Sequence, residues 1–284
     1  MTTDPQRIAF LGDVHCNYKA TVKAVRQAAK QNADVIVQCG DFGYDFPPGF
    51  LKVVTDECER FSIPLLFIDG NHENFDWLYA QPVGKDGRRK LTDWIWHLPR
   101  GHRWEWRGVT FLALGGGVSV DQDTRTPGYS WWPQEVITLG EAFKAAYPGH
   151  VDVLVSHDCP SGTDLKLGKS GFLPELLKAS DQHREMLRAV VDEVRPRFIW
   201  HGHYHVSHTT MSDGMRVRGL NMDGKPWDQS MEVVDLADLK KVTDAARDVA
   251  YWKKRVAEKS PKSSTPATAS WSAGQFKNEE IEDA

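Results

Sequence analysis

The sequence predicts an α/β fold: a sandwich of two sheets with mixed parallel and antiparallel strands, flanked by helices. Three observations lead there. Short apolar runs alternate with amphipathic segments in the N-terminal part, the pattern of right-handed βαβ units with a largely parallel sheet. In the middle, short strand-like runs crowd together at hairpin spacing. Near the C-terminal end, further short runs suggest closing strands of a second, more antiparallel sheet.

Taken in order, Arg7 to Leu11 reads as a strand. Tyr18 to Gln31 follows as a helix, with Val22, Val25 and Ala29 at helical spacing. Asp34 to Gln38 is a second strand. Gly49 to Phe61 is a helix striped by Phe50, Val54, Cys58 and Phe61, and Ile63 to Ile68 is a third strand. Trp94 to Leu98, His102 to Arg107 and Val109 to Leu114 are the crowded strands. A Gly- and Trp-rich connection runs from Gly115 to Pro133, and Tyr129, Trp131 and Trp132 in it are read as core packing between the sheets ahead of a stacking surface for a nucleobase. Thr138 to Tyr147 is a helix stopped by Pro148 and Gly149. Val151 to Ser156 is a buried strand. Gln182 to Val194 is a helix ended by Pro196, and Phe198 to Trp200 is a strand. Thr209 to Met222 and Met231 to Leu236 are the closing strands. Three parts result: residues 1–236 as the main domain, 237–258 as a helix packed on it, and 259–284 as a Ser/Thr/Pro/Ala-rich tail too poor in periodic apolar residues to order.

Composition narrows the function classes. The chain has 284 residues, 40% of them hydrophobic, and a formal charge of −4. That balance gives no global attraction to nucleic acid or anionic membrane, and no apolar run approaches the roughly 20 residues of a membrane span. The polar start, Met1 to Arg7, shows no secretory signal. The four cysteines are scattered, as expected of reduced thiols in a cytoplasm. Cys16 and Cys159 flank candidate site positions but read as bystanders.

The chemistry lies at the ends of five apolar runs. Gly12-Asp13-Val14-His15, Gly40-Asp41, Gly70-Asn71-His72-Glu73, His157-Asp158 and His201-Gly202-His203-Tyr204-His205 each follow one directly. In open α/β sheets such groups gather beyond the carboxyl ends of the strands. Carboxylate, amide oxygen and imidazole are the donors a pair of hard or borderline divalent cations takes. Any one of these residues alone would be an ordinary loop residue; five strand ends together are not.

The order Asp-x-His, Gly-Asp, Gly-Asn-His-Glu, His, Gly-His-x-His resembles the calcineurin-like metallophosphoesterase superfamily. The stretch from Gly115 to Asp121 and on through Trp131-Trp132-Pro133 is similar to bacterial and phage members. The resemblance implies two divalent metals, manganese first, with iron, zinc, nickel or magnesium as alternatives. One would take Asp13, His15, Asp41 and His205. The other would take Asp41, Asn71, His157 and His203. It further implies phosphoester hydrolysis by a hydroxide shared between the metals, with His72 near the leaving oxygen.

The sequence departs from the protein-phosphatase branch, whose two phosphate-gripping arginines are absent: Phe46 and Asp69 stand in those regions. Asp45 is one residue late to orient His72. A diester carries one charge fewer than a monoester, so the expected substrate is a phosphodiester, a small or cyclic nucleotide, with 2′,3′-cyclic forms ahead of 3′,5′. A nuclease, a phosphomonoesterase and a metal-free binding module are the alternatives; polynucleotide binding stays open, and the last would have lost ligands. Arg125 is read either as a phosphate contact or as a surface salt bridge. The basic stretches Lys85 to Lys90 and Arg100 to Arg103 are polyanion contacts or solvated loops. Gly162 to Ser170 lacks P-loop spacing, and Pro174 interrupts the helix that a P-loop needs.

Overall fold

A computed structural model describes residues 4–165, 167 and 171–247. The predicted tail and residues 248–258 of the predicted C-terminal helix lie outside them. Strands β1 (Arg7–Leu11), β2 (Val35–Gln38), β3 (Leu65–Phe67), β4 (Arg89–Lys90), β5 (Ile95–His97) and β12 (Met231–Asp235) form one six-stranded sheet in the order β12-β1-β2-β3-β5-β4. The other sheet runs β10-β11-β9-β8-β7-β6, from β6 (Arg103–Trp106), β7 (Val109–Leu114), β8 (Val153–Ser156), β9 (Phe198–His201), β10 (His208–Ser212) and β11 (Met215–Gly219). The inner strands of each sheet are parallel, and the edge strands β12, β4, β10 and β6 are antiparallel to their neighbours.

The period-2 alternation of strand side chains sets the layers. Ile8, Phe10, Val35 and Val37 face Phe111, Val153, Val155 and Trp200 between the sheets, where the Phe10 and Trp200 rings stack 3.9 Å apart. Ala9, Leu11 and Ile36 face α1 (Tyr18–Lys30) and α2 (Pro48–Phe61). Leu112, Leu154 and Ile199 face α4 (Leu139–Ala146) and α5 (Pro174–Val194). Strands buried on both faces read as continuous apolar runs. Among the described residues no helix is long and apolar enough to cross a membrane.

Three expectations are corrected. The Met231 run does not close the second sheet; as β12 it pairs antiparallel with β1 in the first. Pro174 does not interrupt a helix but opens α5 in its first turn, where a missing N–H costs nothing. Tyr129 is 76% exposed rather than core, although Trp132 is buried. In α6 (Leu236–Arg247), Leu236 and Leu239 seat in the inter-sheet core and Val242 is exposed. The short α3 (Phe75–Ala80), capped by the Asn74 side chain at Trp77 N, is an element that the sequence reading lacks.

Candidate metal centre

The seven candidate ligands come together at the carboxyl ends of β1, β2, β3, β8 and β9. Asp13 Oδ2 lies 3.1 Å from His205 Nε2, and Asp41 Oδ2 lies 3.6 Å from His15 Nε2. Asp41 Oδ1 is 3.4 Å from His157 Nε2, which is 2.9 Å from Asn71 Oδ1. The His203 ring packs 4.9 Å from that of His157. Donor atoms of Asp13, His15 and His205 lie within 4.8 Å of one another, as do those of Asp13, Asp41 and His157.

The backbone is bent to achieve this. His15, Asp41, His203 and His205 all have φ between 47° and 68°, a region that side chains avoid. Two glycines make room: a Cβ on Gly70 would stand 2.1 Å from Asp41 Oδ1, and one on Gly202 1.9 Å from Asp13 Oδ1. Main-chain N–H groups fix the carboxylates. Those of Asn71 and His72 each donate to Asp41 Oδ1 at 2.9 Å, and that of His203 donates to Asp13. The buried Glu73 carboxylate accepts from Phe42 N at 2.7 Å and Gly70 N at 2.6 Å, tying the loops after β2 and β3 together.

The donor set fits a cation. His157 Nδ1 donates to the Cys39 carbonyl at 2.8 Å, so a neutral His157 turns its Nε2 lone pair on two oxygens and needs either a proton on Nε2 or a shared cation. Asn71 cannot turn its amide to help, because its Nδ2 donates to Ser119 Oγ at 3.0 Å. Ser119 in turn donates to Glu135 Oε2 at 2.5 Å. The field says the same. Burial would lower His157, yet Asp41 pulls it up to about 10. Burial would raise Asp41, yet His157 and His72 hold it well below the carboxylate range. Asp41 thus demands positive charge on several sides, which a dication supplies.

His72 lies at the rim, its Nε2 3.9 Å from Asp41 Oδ2. Its partner is not a carboxylate: Asp45 accepts from Asn74 instead. Arg125 stands there, NH1 2.6 Å from Nδ1 and NH2 3.1 Å from Nε2. A guanidinium only donates, so the ring nitrogen that bonds it carries no proton. Arg125 also grips Asp121 through two bonds of 2.8 Å, the salt bridge that was one of its two readings. Burial, joined by the Arg125 charge, holds His72 below its usual range despite Asp41. The sequence reading missed Ser119, Glu135 and Glu73. Glu73 follows His72 directly, and Ser119 lies in the Gly115-to-Asp121 stretch, but no local signal marks Glu135. Cys16 and Cys159 remain bystanders: burial pushes their thiols up to about 11 and about 12.

The family model described as calcineurin-like phosphoesterase matches residues 6–207. The chain belongs to this family. Its members act on phosphoesters with divalent metals, and the calcineurin-like phosphoesterase described here carries candidate ligands for them at the expected strand ends. No curated protein matches the chain. Among solved structures, this phosphoesterase is similar to TT1561 of Thermus thermophilus, with 13% identity, 81% of this chain and 99% of that chain covered, and a TM-score of 0.50. A dimetal phosphatase from Danio rerio has 14% identity, coverage of 82% and 93%, and a TM-score of 0.48. At such identity the first likeness concerns the fold alone.

Proposed function

We propose that this chain is a two-metal phosphodiesterase in which Asp13, His15, Asp41 and His205 hold one divalent ion and Asp41, Asn71, His157 and His203 the other. The observation that carries the reading is His157 Nε2 facing Asn71 Oδ1 and Asp41 Oδ1 with its other nitrogen already committed. When bound, the ions would activate water and offset charge on the phosphoryl group; manganese is the ion we favour. The protein residues do the rest. Asp41 would be shared by the two ions, the Ser119–Glu135 pair fixes which face Asn71 presents, and His72 would donate a ring N–H to the leaving oxygen.

Held below its usual range, His72 serves as a neutral hydrogen-bond donor rather than an imidazolium acid. Such a donor suits leaving groups that need little protonation. A diester fits for a second reason: the cation at the rim, Arg125, is already balanced by Asp121, so the two full charges of a monoester find less to meet them. Cyclic nucleotides are the small candidates, with 2′,3′-cyclic forms first because their five-membered ring is strained.

The test is kcat/KM for matched aryl mono- and diesters at one Mn²⁺ concentration, followed by both cyclic isomers and single-stranded DNA. The diester is expected to lead. A tenfold monoester advantage overturns the charge argument, and DNA cleavage without cyclic-nucleotide turnover makes the chain a nuclease.

A further inference from the structure

The two basic stretches of the sequence, 85–90 and 100–103, meet in space. A cavity of about 430 Å³ is lined by Arg89, Arg100, His102, Arg103 and Lys144, against the single acid Glu141. Its lining shares no residue with the candidate metal ligands. Pairing of β4 with β5 sets Arg89 opposite His97. Gly87, at φ +79°, lets the turn before β4 approach the other stretch: a Cβ there would lie 2.9 Å from His102 Nδ1.

The charges around this cavity are not balanced among the described residues. Arg100 has its counterions, Asp69 at 2.7 Å and Glu141 at 3.3 Å. Arg89 makes no direct ion pair among the described residues, though the Asp69 charge reaches it; it donates to the Gln81 carbonyl at 3.1 Å, approaches His97 at 3.4 Å and lies over the Tyr79 ring. Among those residues Arg103 bonds only the carbonyls of Ala145, Gly149 and His150, and its Nε is buried without a partner. Lys144 is exposed and makes no ion pair with any of them. Burial pushes both Arg89 and Arg103 below the usual arginine range. Half-buried guanidiniums in a concave wall concentrate field on an anion, and the Lys144 ammonium and the Arg89 guanidinium are donors of the kind that phosphate oxygens take.

We propose that this cavity binds a phosphate-class oxyanion, at a site separate from the metal centre. The ligand is either inorganic phosphate or the phosphate group of a small metabolite.

Equilibrium dialysis of the metal-loaded, full-length protein with radiolabelled inorganic phosphate tests this. The double variant Arg89→Gln/Lys144→Gln is expected to bind one phosphate fewer per chain than the parent, while the hydrolysis rate and its inhibition by phosphate stay unchanged. Displacement by adenosine monophosphate at lower concentration than by phosphate names a phosphorylated metabolite as the ligand; equal displacement names phosphate itself. Equal stoichiometry in variant and parent overturns the proposal. Should the double variant melt early, Lys144→Gln alone decides. Loss of that exposed charge is expected to weaken the second phosphate about threefold, and no weakening overturns the proposal equally.

Discussion

At the scale of single residues, the rim of the site differs from its centre. His72 is oriented by a cation, Arg125, which lies 53 positions away in sequence. The candidate ligands were legible because each directly follows an apolar run, and strand ends converge whatever the loops do. The Arg125 contact was not, since it depends on the path of a long irregular connection. Two predictions belong here. Asp41→Asn is expected to weaken both metals, because it removes the shared charge, whereas His72→Ala should keep them and lower turnover by about 10²–10⁴. Elemental analysis beside rate measurement checks this; equal metal loss in both variants would refute the roles. Arg125→Met removes the positive charge that helps to depress His72. The His72 pKa should then rise, and with neutral His72 as the working form the acidic limb of the kcat/KM profile moves to higher pH. An acidic limb that stays in place means that His72 does not titrate in that limb.

At the scale of elements, the segment between β7 and α4 is a strap rather than a linker. Glu135 receives Ser119 through both backbone N and side-chain Oγ, at 2.9 and 2.5 Å, and Ser119 receives Asn71. Arg100 holds the same strap by donating to the carbonyls of Gln134, Glu135 and Val136. Groups behind the ligands govern metal affinity. Glu135→Gln should therefore weaken the ion at Asn71, His157 and His203 about 10–100-fold and spare the ion at His15 and His205. Competitive titration with a metal-chelating dye resolves the two affinities, and parallel weakening of both would show general loosening instead. Periodicity gave α1, α2 and α4 to within about two residues, the usual uncertainty of helix ends. It shortened α5, whose first turns, Pro174 to Asp181, carry only Leu176, Leu177 and Ala179 as apolar residues. It placed β12 in the wrong sheet, because sheet membership of an edge strand is a long-range choice that no local pattern records.

At the scale of the whole molecule, both sheets depend on one shared apolar layer, and the last described helix helps to close it. Leu236 and Leu239 are 0% and 5% exposed within that layer, and Leu236 N donates to the Gln6 carbonyl at 2.8 Å. Truncation before Leu236 should remove about 3–6 kcal/mol of burial, at about 1.5–3 kcal/mol for each leucine. A marginally stable domain tolerates little of that. Denaturant melts at fixed Mn²⁺ measure it, and a loss under about 1 kcal/mol would show that the helix contributes little to the core. The layered architecture was legible because strands buried on both faces advertise themselves as unbroken apolar runs. The pairing of β1 with β12, which links the two ends of the domain, was not.

The four left-handed residues at the site have a consequence of their own. Each non-glycine residue at positive φ costs about 1–2 kcal/mol, so His15, Asp41, His203 and His205 gather backbone strain at the working edge of the molecule. Glycine would relieve the tension at any of them and would bind nothing. His205 is the cleanest place to see this, since its side chain is 38% exposed and little packing is lost with it. In chelator, His205→Gly should melt no lower than the parent protein, and with metal present the order should reverse. The melting curve, not the rate, would then record the conflict between what suits folding and what suits chemistry at one residue. A lower melt in chelator would mean that the ring contributes to the fold after all.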